Sequence, residues 1–134
     1  MTVGSWTPDS DQSAPRPVDQ DVLQHFVTLS RNEQLQDLGA ALEPATIDQQ
    51  AYLMSLDAGS WNSAASGLDD EEIWHLMRFF TLAEEQLAGW QAGAQSPVIW
   101  LNKVLKQRGA ALQRERLQWI RSHSSNRFLP NGAL

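Results

Sequence analysis

With 134 residues and no cysteine, the chain is long enough for one hydrophobic core and has to close it without disulfides. The same composition excludes thiolate catalysis and cysteine-ligated metal. No apolar run approaches the roughly 20 residues of a membrane-spanning helix. The opening MTVGSWTPDSDQSAPRPVDQ lacks both the basic start and the apolar stretch of a secretory signal, so a cytoplasmic location is expected.

The net charge of −6 is unevenly spread. Residues 1–95 hold 15 of the 16 acids and only three bases, Arg16, Arg31 and Arg78, a balance of −12. Residues 96–134 hold seven bases against Glu115 alone, a balance of +6. Either the two parts pack together and neutralise locally, or a basic surface is kept for a partner.

In chain order, residues 1–17 read as a disordered arm. They combine Gly, Ser and Asp with Pro8, Pro15 and Pro17, and Trp6 is the one large apolar side chain. Residues 18–134 read as a single helical domain. The spacing of Val22, Leu23, Phe26, Val27 and Leu29 predicts a first helix over Asp19 to Leu29, with His25 on its edge. Ser30-Arg31-Asn32-Glu33 matches a capping box and predicts a second helix from Arg31, with Leu35, Leu38 and Leu42 on one face and Pro44 as its end. Thr46-Ile47-Asp48-Gln49 repeats the capping pattern and predicts a third helix carrying Ile47, Ala51, Met54 and Leu56. The small, polar stretch from Asp57 to Gly67 reads as a loop, with Trp61 folded back as a plug.

Leu68 to Trp90 is the centre of the design. Asp69 or Asp70 caps its start, Glu71 and Glu72 suit the positive end of the helix dipole, and Leu68 is placed as a hydrophobic staple. Ile73, Leu76, Met77, Phe80 and Leu87 recur at helical spacing, widened by Trp74 and Phe79. A helix so apolar around its circumference needs neighbours on several sides. The expected fold is therefore all-α, a compact bundle of about six helices around a central one near residues 70–88.

Beyond a Gly89/Gly93 loop, Ser96-Pro97 opens a further helix with Trp100, Leu101, Val104 and Leu105 inward, Lys103 and Lys106 outward, and Gly109 at its cap. Residues 111–122 form the last helix, with Leu112, Leu117, Trp119 and Ile120 as its apolar side and Arg114 and Arg121 opposite. Arg116 falls inside the apolar arc. It is expected to be partly buried and paired with an acid from the first 95 residues, preferentially one on the central helix. In the tail, Phe128 and Leu129 beside Pro-Asn-Gly are expected to dock on the bundle.

The chemistry-bearing patterns are sparse. Glu72-Ile-Trp-His75 is a Glu-x-x-His step of the kind that ligates metal in di-iron bundles. Neither His25 nor His123 completes a second step, although Glu84 and Glu85 could add carboxylates. The simpler reading makes His75 a surface or half-buried histidine paired with Glu71. No serine elbow or phosphate-binding glycine loop occurs, and the paired acids Asp69–Asp70 and Glu84–Glu85 read as capping and solvation. No catalytic residue and no cofactor is assigned. RFFTLAEEQLAGW, SPVIWLNKVLK and NRFLPNGAL have the look of a bacterial domain, and no family's functional residues are carried over from them.

The function expected is that of a small non-enzymatic protein-interaction or regulatory protein. Its partner is expected to be an acidic protein, docking on Lys103, Lys106, Arg114 and Arg121, which point away from the apolar arcs. One alternative is a nucleic-acid-binding protein using the basic C-terminal helices, against which the acidic remainder counts. Another is a metal-binding helical-bundle enzyme built on Glu72 and His75.

Overall fold

The computed structural model describes residues 18–132, so the expected N-terminal arm, Trp6 included, lies outside the described residues. Among them no strand occurs. Seven α-helices follow one another: α1 (Gln20–Arg31), α2 (Leu38–Ala41), α3 (Pro44–Gln50), α4 (Ala58–Ala65), α5 (Asp70–Gln86), α6 (Pro97–Gln107) and α7 (Arg114–His123), with short 3-10 turns at Ala51–Ser55 and Gly93–Gln95. No helix among the described residues is long and apolar enough to cross a membrane.

The central helix forms as expected. Asp69 accepts from the Glu72 amide at 2.7 Å and Glu72 accepts from the Asp69 amide at 2.9 Å, a complete capping box. Leu68 behind it is buried. Helix α1 packs along one side of α5, where the rings of Phe26 and Phe79 stack at 3.9 Å. Helix α6 packs on another side and also against α4. Among the described residues, helix α7 packs chiefly on α5.

Several local expectations are overturned. The capping box at Ser30 opens no second helix. Instead α1 runs on to Arg31, because Ser30 turns inward and is fully buried. The chain then leaves through a left-handed Glu33 (φ 55), with Gln34 N–H bonding Leu29 O and Glu33 N–H bonding Ser30 O. The segment that follows is mostly loop with the single turn α2. Gln86 of α5 satisfies its backbone, donating to Leu35 O at 2.8 Å and accepting from Leu38 N–H at 2.7 Å.

Pro44 starts helix α3 rather than ending one, since a missing N–H costs nothing at a first helical position. The stretch read as a loop at 57–67 contains α4, which is why the described residues hold seven helices rather than about six. Asp57 caps it by accepting from Ser60 N–H at 2.8 Å. Trp61 is the expected plug, fully buried with its ring edge-on to Phe80 at 5.4 Å.

Leu101, Val104 and Leu105 of α6 are buried as expected, whereas Trp100 is only half-buried and carries Lys103 over its ring. The tail docks as expected: Leu129 is buried, Phe128 packs on the core, and Asn102 of α6 donates to Pro130 O at 3.1 Å.

Candidate functional site

The four basic residues expected to meet a partner are all exposed. On α6, the Lys103 ammonium lies 5.0 Å from the Trp100 ring centre, and Lys106 donates to Asn131 of the tail at 3.2 Å. On α7, no ion pair or hydrogen bond among the described residues engages the guanidinium of Arg114 or Arg121. Lys106 is thus joined to the tail, and no hydrogen bond or ring contact joins the α6 pair to the α7 pair.

The neighbouring bases are committed to the fold. Arg108 donates to Ala65 O and Leu68 O, both at 2.8 Å, and pairs with Asp70 at 3.0 Å, so one side chain closes α4 and binds the start of α5 to the end of α6. Arg116 lies over the Trp74 ring at 4.9 Å and makes a two-pronged pair with Glu71 at 2.8 and 3.0 Å, with about a third of its side chain exposed. The expectation for Arg116 is met in both burial and partner. Local neutralisation of the two charge halves therefore does occur, through these two residues.

The metal reading meets different geometry. Glu72 spends one carboxylate oxygen on the Asp69 amide and the other on Gln24 of α1, at 2.8 Å. His75 turns its Nδ1 to the Ser30 hydroxyl at 2.7 Å, and Glu71 goes to Arg116 rather than to His75. Among the described residues no group of three or more His, Cys, Asp or Glu side chains is gathered in a way that could hold a metal ion.

Ser30 and His75 do make a hydroxyl–imidazole pair. Arg78 donates to Ser30 Oγ at 3.2 Å, to Ser30 O at 3.3 Å, and to both Glu33 oxygens at 3.0 and 3.2 Å. Arginine only donates, so Ser30 Oγ accepts from it and keeps its own hydrogen free for His75 Nδ1. With Ser30 as the donor, His75 is the neutral imidazole with its proton on Nε2. Burial lowers its pKa below the ordinary value, helped by the Arg78 and Arg31 cations. With Ser30 fully buried, the pair cannot present a nucleophile to a substrate; it positions an imidazole in the seam between α1 and α5.

A second polar cluster surrounds Glu84, which is buried rather than solvated. Ser96 donates to one oxygen at 2.5 Å, and Asn126 and the Ala92 amide donate to the other at 3.1 and 3.3 Å. Burial raises the Glu84 pKa against these hydrogen bonds. Adjacent Glu85 accepts from the amide and hydroxyl of Ser125 at 2.9 and 2.8 Å. The two glutamates anchor the tail and the start of α6 to the end of α5.

Neither cluster was singled out from the sequence, although both left a trace there. At 100° per residue, Ser30 lies about 20° from Leu23 and Glu84 about 20° from Met77, each inside an apolar stripe. A cleft of about 440 Å³ also opens between the start of α5 and the 109–113 segment, but Asp70, Glu71 and Arg116 on its rim are already paired. Comparison with family models, with curated proteins and with solved structures finds no match to this chain.

Proposed function

We propose that this chain is a small regulatory protein that acts by binding rather than by catalysis, and that its partner is an acidic protein docking on Lys103, Lys106, Arg114 and Arg121. One observation carries the reading: these cations are exposed and lightly engaged, while Arg78, Arg108 and Arg116 are bound into the fold. An outward lysine that leans on a half-buried Trp100 keeps its charge available and adds apolar area, a combination suited to a protein surface. Complementary charge of this kind speeds and orients association and weakens with salt. An acidic protein is favoured over a nucleic acid because residues 1–95, at −12, would repel a polyanion reaching past the basic patch. A cytoplasmic setting without a cofactor goes with this reading.

The test reverses the charges in pairs. Lys103→Glu with Lys106→Glu, Arg114→Glu with Arg121→Glu, and Lys106→Glu with Arg121→Glu should each leave the melting temperature within a few degrees of wild type. Each should weaken co-purification of the partner, and the mixed pair should abolish it. Loss with one helix's pair alone confines the surface to that helix. Partners retained by all three variants overturn the proposal, and a salt-steep affinity for DNA or RNA would replace it with the nucleic-acid reading.

A further inference from the structure

Helix α7 is seated beside the His75 seam, and its seat depends on charge. From α1 the seam receives Arg31 and the Ser30 hydroxyl, and from the turn after it Glu33. From α5 it receives Glu71 and Arg78, and from α7 Arg116. Three guanidinium groups therefore stand around the imidazole with two carboxylates, and each carboxylate is already taken, Glu33 by Arg78 and Glu71 by Arg116.

We propose that His75 is a proton-operated latch: neutral, it leaves α7 docked on α5, and protonated, it loosens α7 while the rest of the bundle stays assembled. A proton on Nδ1 reverses the hydrogen bond, so that the imidazolium donates to Ser30 Oγ and the buried hydroxyl hydrogen loses its acceptor. It also adds a fourth cation beside Arg31, Arg78 and Arg116. Of the two acids one helical turn away, Glu72 is taken by Gln24 and the Asp69 amide, so the imidazolium draws on Glu71, the carboxylate that holds Arg116.

The two helices meeting the seam answer differently. Helix α1 is fastened by Leu23, Phe26 and Val27, all fully buried. Helix α7 has only Ile120 buried and otherwise relies on Arg116, on the edge-on Trp74–Trp119 pair at 5.8 Å and on Arg78 near the Trp119 ring. Lifting α7 would uncover Trp74 and Trp119 together, an apolar surface that appears on acidification. The sign follows from the direction of the shift. A histidine whose pKa is lower folded than unfolded gives its full contribution above the ordinary value near 6.5, and loses it as pH falls from there through the folded value.

Hydrogen exchange on the full chain at pH 7.5 and pH 5.5, corrected for the chemical exchange rate, reads the latch directly. Amides of residues 114–123 should lose protection several-fold at pH 5.5, while those of 73–83 in α5 keep theirs. His75→Asn, which retains an acceptor toward Ser30 and cannot be protonated, should keep α7 protected at both pH values. His123→Asn is the control, because His123 lies on α7 itself and stacks on Trp119 at 4.2 Å. If α7 protection is unchanged in wild type, or its loss persists in His75→Asn and vanishes in His123→Asn, the proposal is overturned. Should His75→Asn fail to fold, ring nitrogen shifts of wild-type His75 decide: an Nε2–H tautomer titrating below 6.5 supports the latch, and an Nδ1–H tautomer or a midpoint above 6.5 overturns it.

Discussion

Helices α5 and α7 look alike as sequence patterns and differ as parts of the molecule. Both carry tryptophan and aliphatic residues at helical spacing. Yet α5 buries nine residues from Ile73 to Glu84, and α7 buries only Ile120. Burial at about 25 cal/mol per Å² accumulates over many neighbours for α5. For α7 the holding contacts are the buried Ile120, the half-buried Trp119, one partly exposed ion pair and a few ring contacts, the ion pair and ring contacts each worth about 1 kcal/mol or less. A helix held that way opens at a lower free energy than the bundle unfolds. Apolar spacing thus identifies a helix without ranking how firmly it is held; the partners around it decide that.

The comparison breaks most visibly at Phe80. Its fully buried ring meets Trp61, Phe26 and Phe79, so Phe80→Ala removes contacts to two other helices at once. A loss of about 3–5 kcal/mol in denaturant unfolding is expected. A cost under about 1 kcal/mol would mean that α5 is not the organising helix.

Next comes the polar end of α5. Glu84→Ala leaves Ser96, Asn126 and the Ala92 amide without their acceptor, at about 2–3 kcal/mol. Glu84→Gln keeps an acceptor and removes the buried charge, so its cost should stay under about 1 kcal/mol near neutral pH. The pH dependence has a definite sign. Folding raises the Glu84 pKa, so its contribution is present below the ordinary value of about 4.5 and is lost as pH rises through the folded value. Relative to wild type, Glu84→Gln should therefore gain stability between pH 4 and pH 7. A relative loss over that range would mean the carboxylate is stabilised, not strained, by its site.

What could be read in advance follows the same division. The capping box of α5, its apolar stripe, Ser96-Pro97 and the Gly109 stop are local signals, and the structure keeps them. The helix at 58–65 was hidden because Ala, Gly and Ser give no strong periodicity. It exists because Trp61 anchors it from within and Arg108, 43 residues away, binds its last carbonyl. Ser30 was misread for a related reason: a serine fits an N-cap by its chemistry, and only the distant His75 and Arg78 make it the last inward residue of α1. The pairing of the partly buried Arg116 was legible because a charge inside an apolar arc must find a partner. The same argument applied to Glu84 would have found the second cluster. For the candidate surface, the outward direction of Lys103, Lys106, Arg114 and Arg121 was legible from each helix alone. Whether α6 and α7 present them together depends on packing, which periodicity does not encode.

The smallest expected effects sharpen the α7 side of the comparison. Arg116, Arg114 and Arg121 share one helix and one charge, and only Arg116 has both an acid and a ring to hold. Its pair with Glu71 is partly exposed, so Arg116→Ala should cost about 1 kcal/mol, the sum of a modest ion pair and a modest cation–π contact. Arg114→Ala and Arg121→Ala should each stay within about 0.5 kcal/mol of wild type. Arg116→Lys separates the two contributions, because lysine keeps the charge and loses the planar fork that meets both Glu71 oxygens. Salt provides the final discrimination. Raising ionic strength from 0.05 to about 0.5 M should shrink the Arg116→Ala deficit toward its ring contribution and leave the Phe80→Ala deficit unchanged. Equal costs for the three arginines, or an Arg116 deficit indifferent to salt, would mean that α7 is seated by its apolar contacts after all.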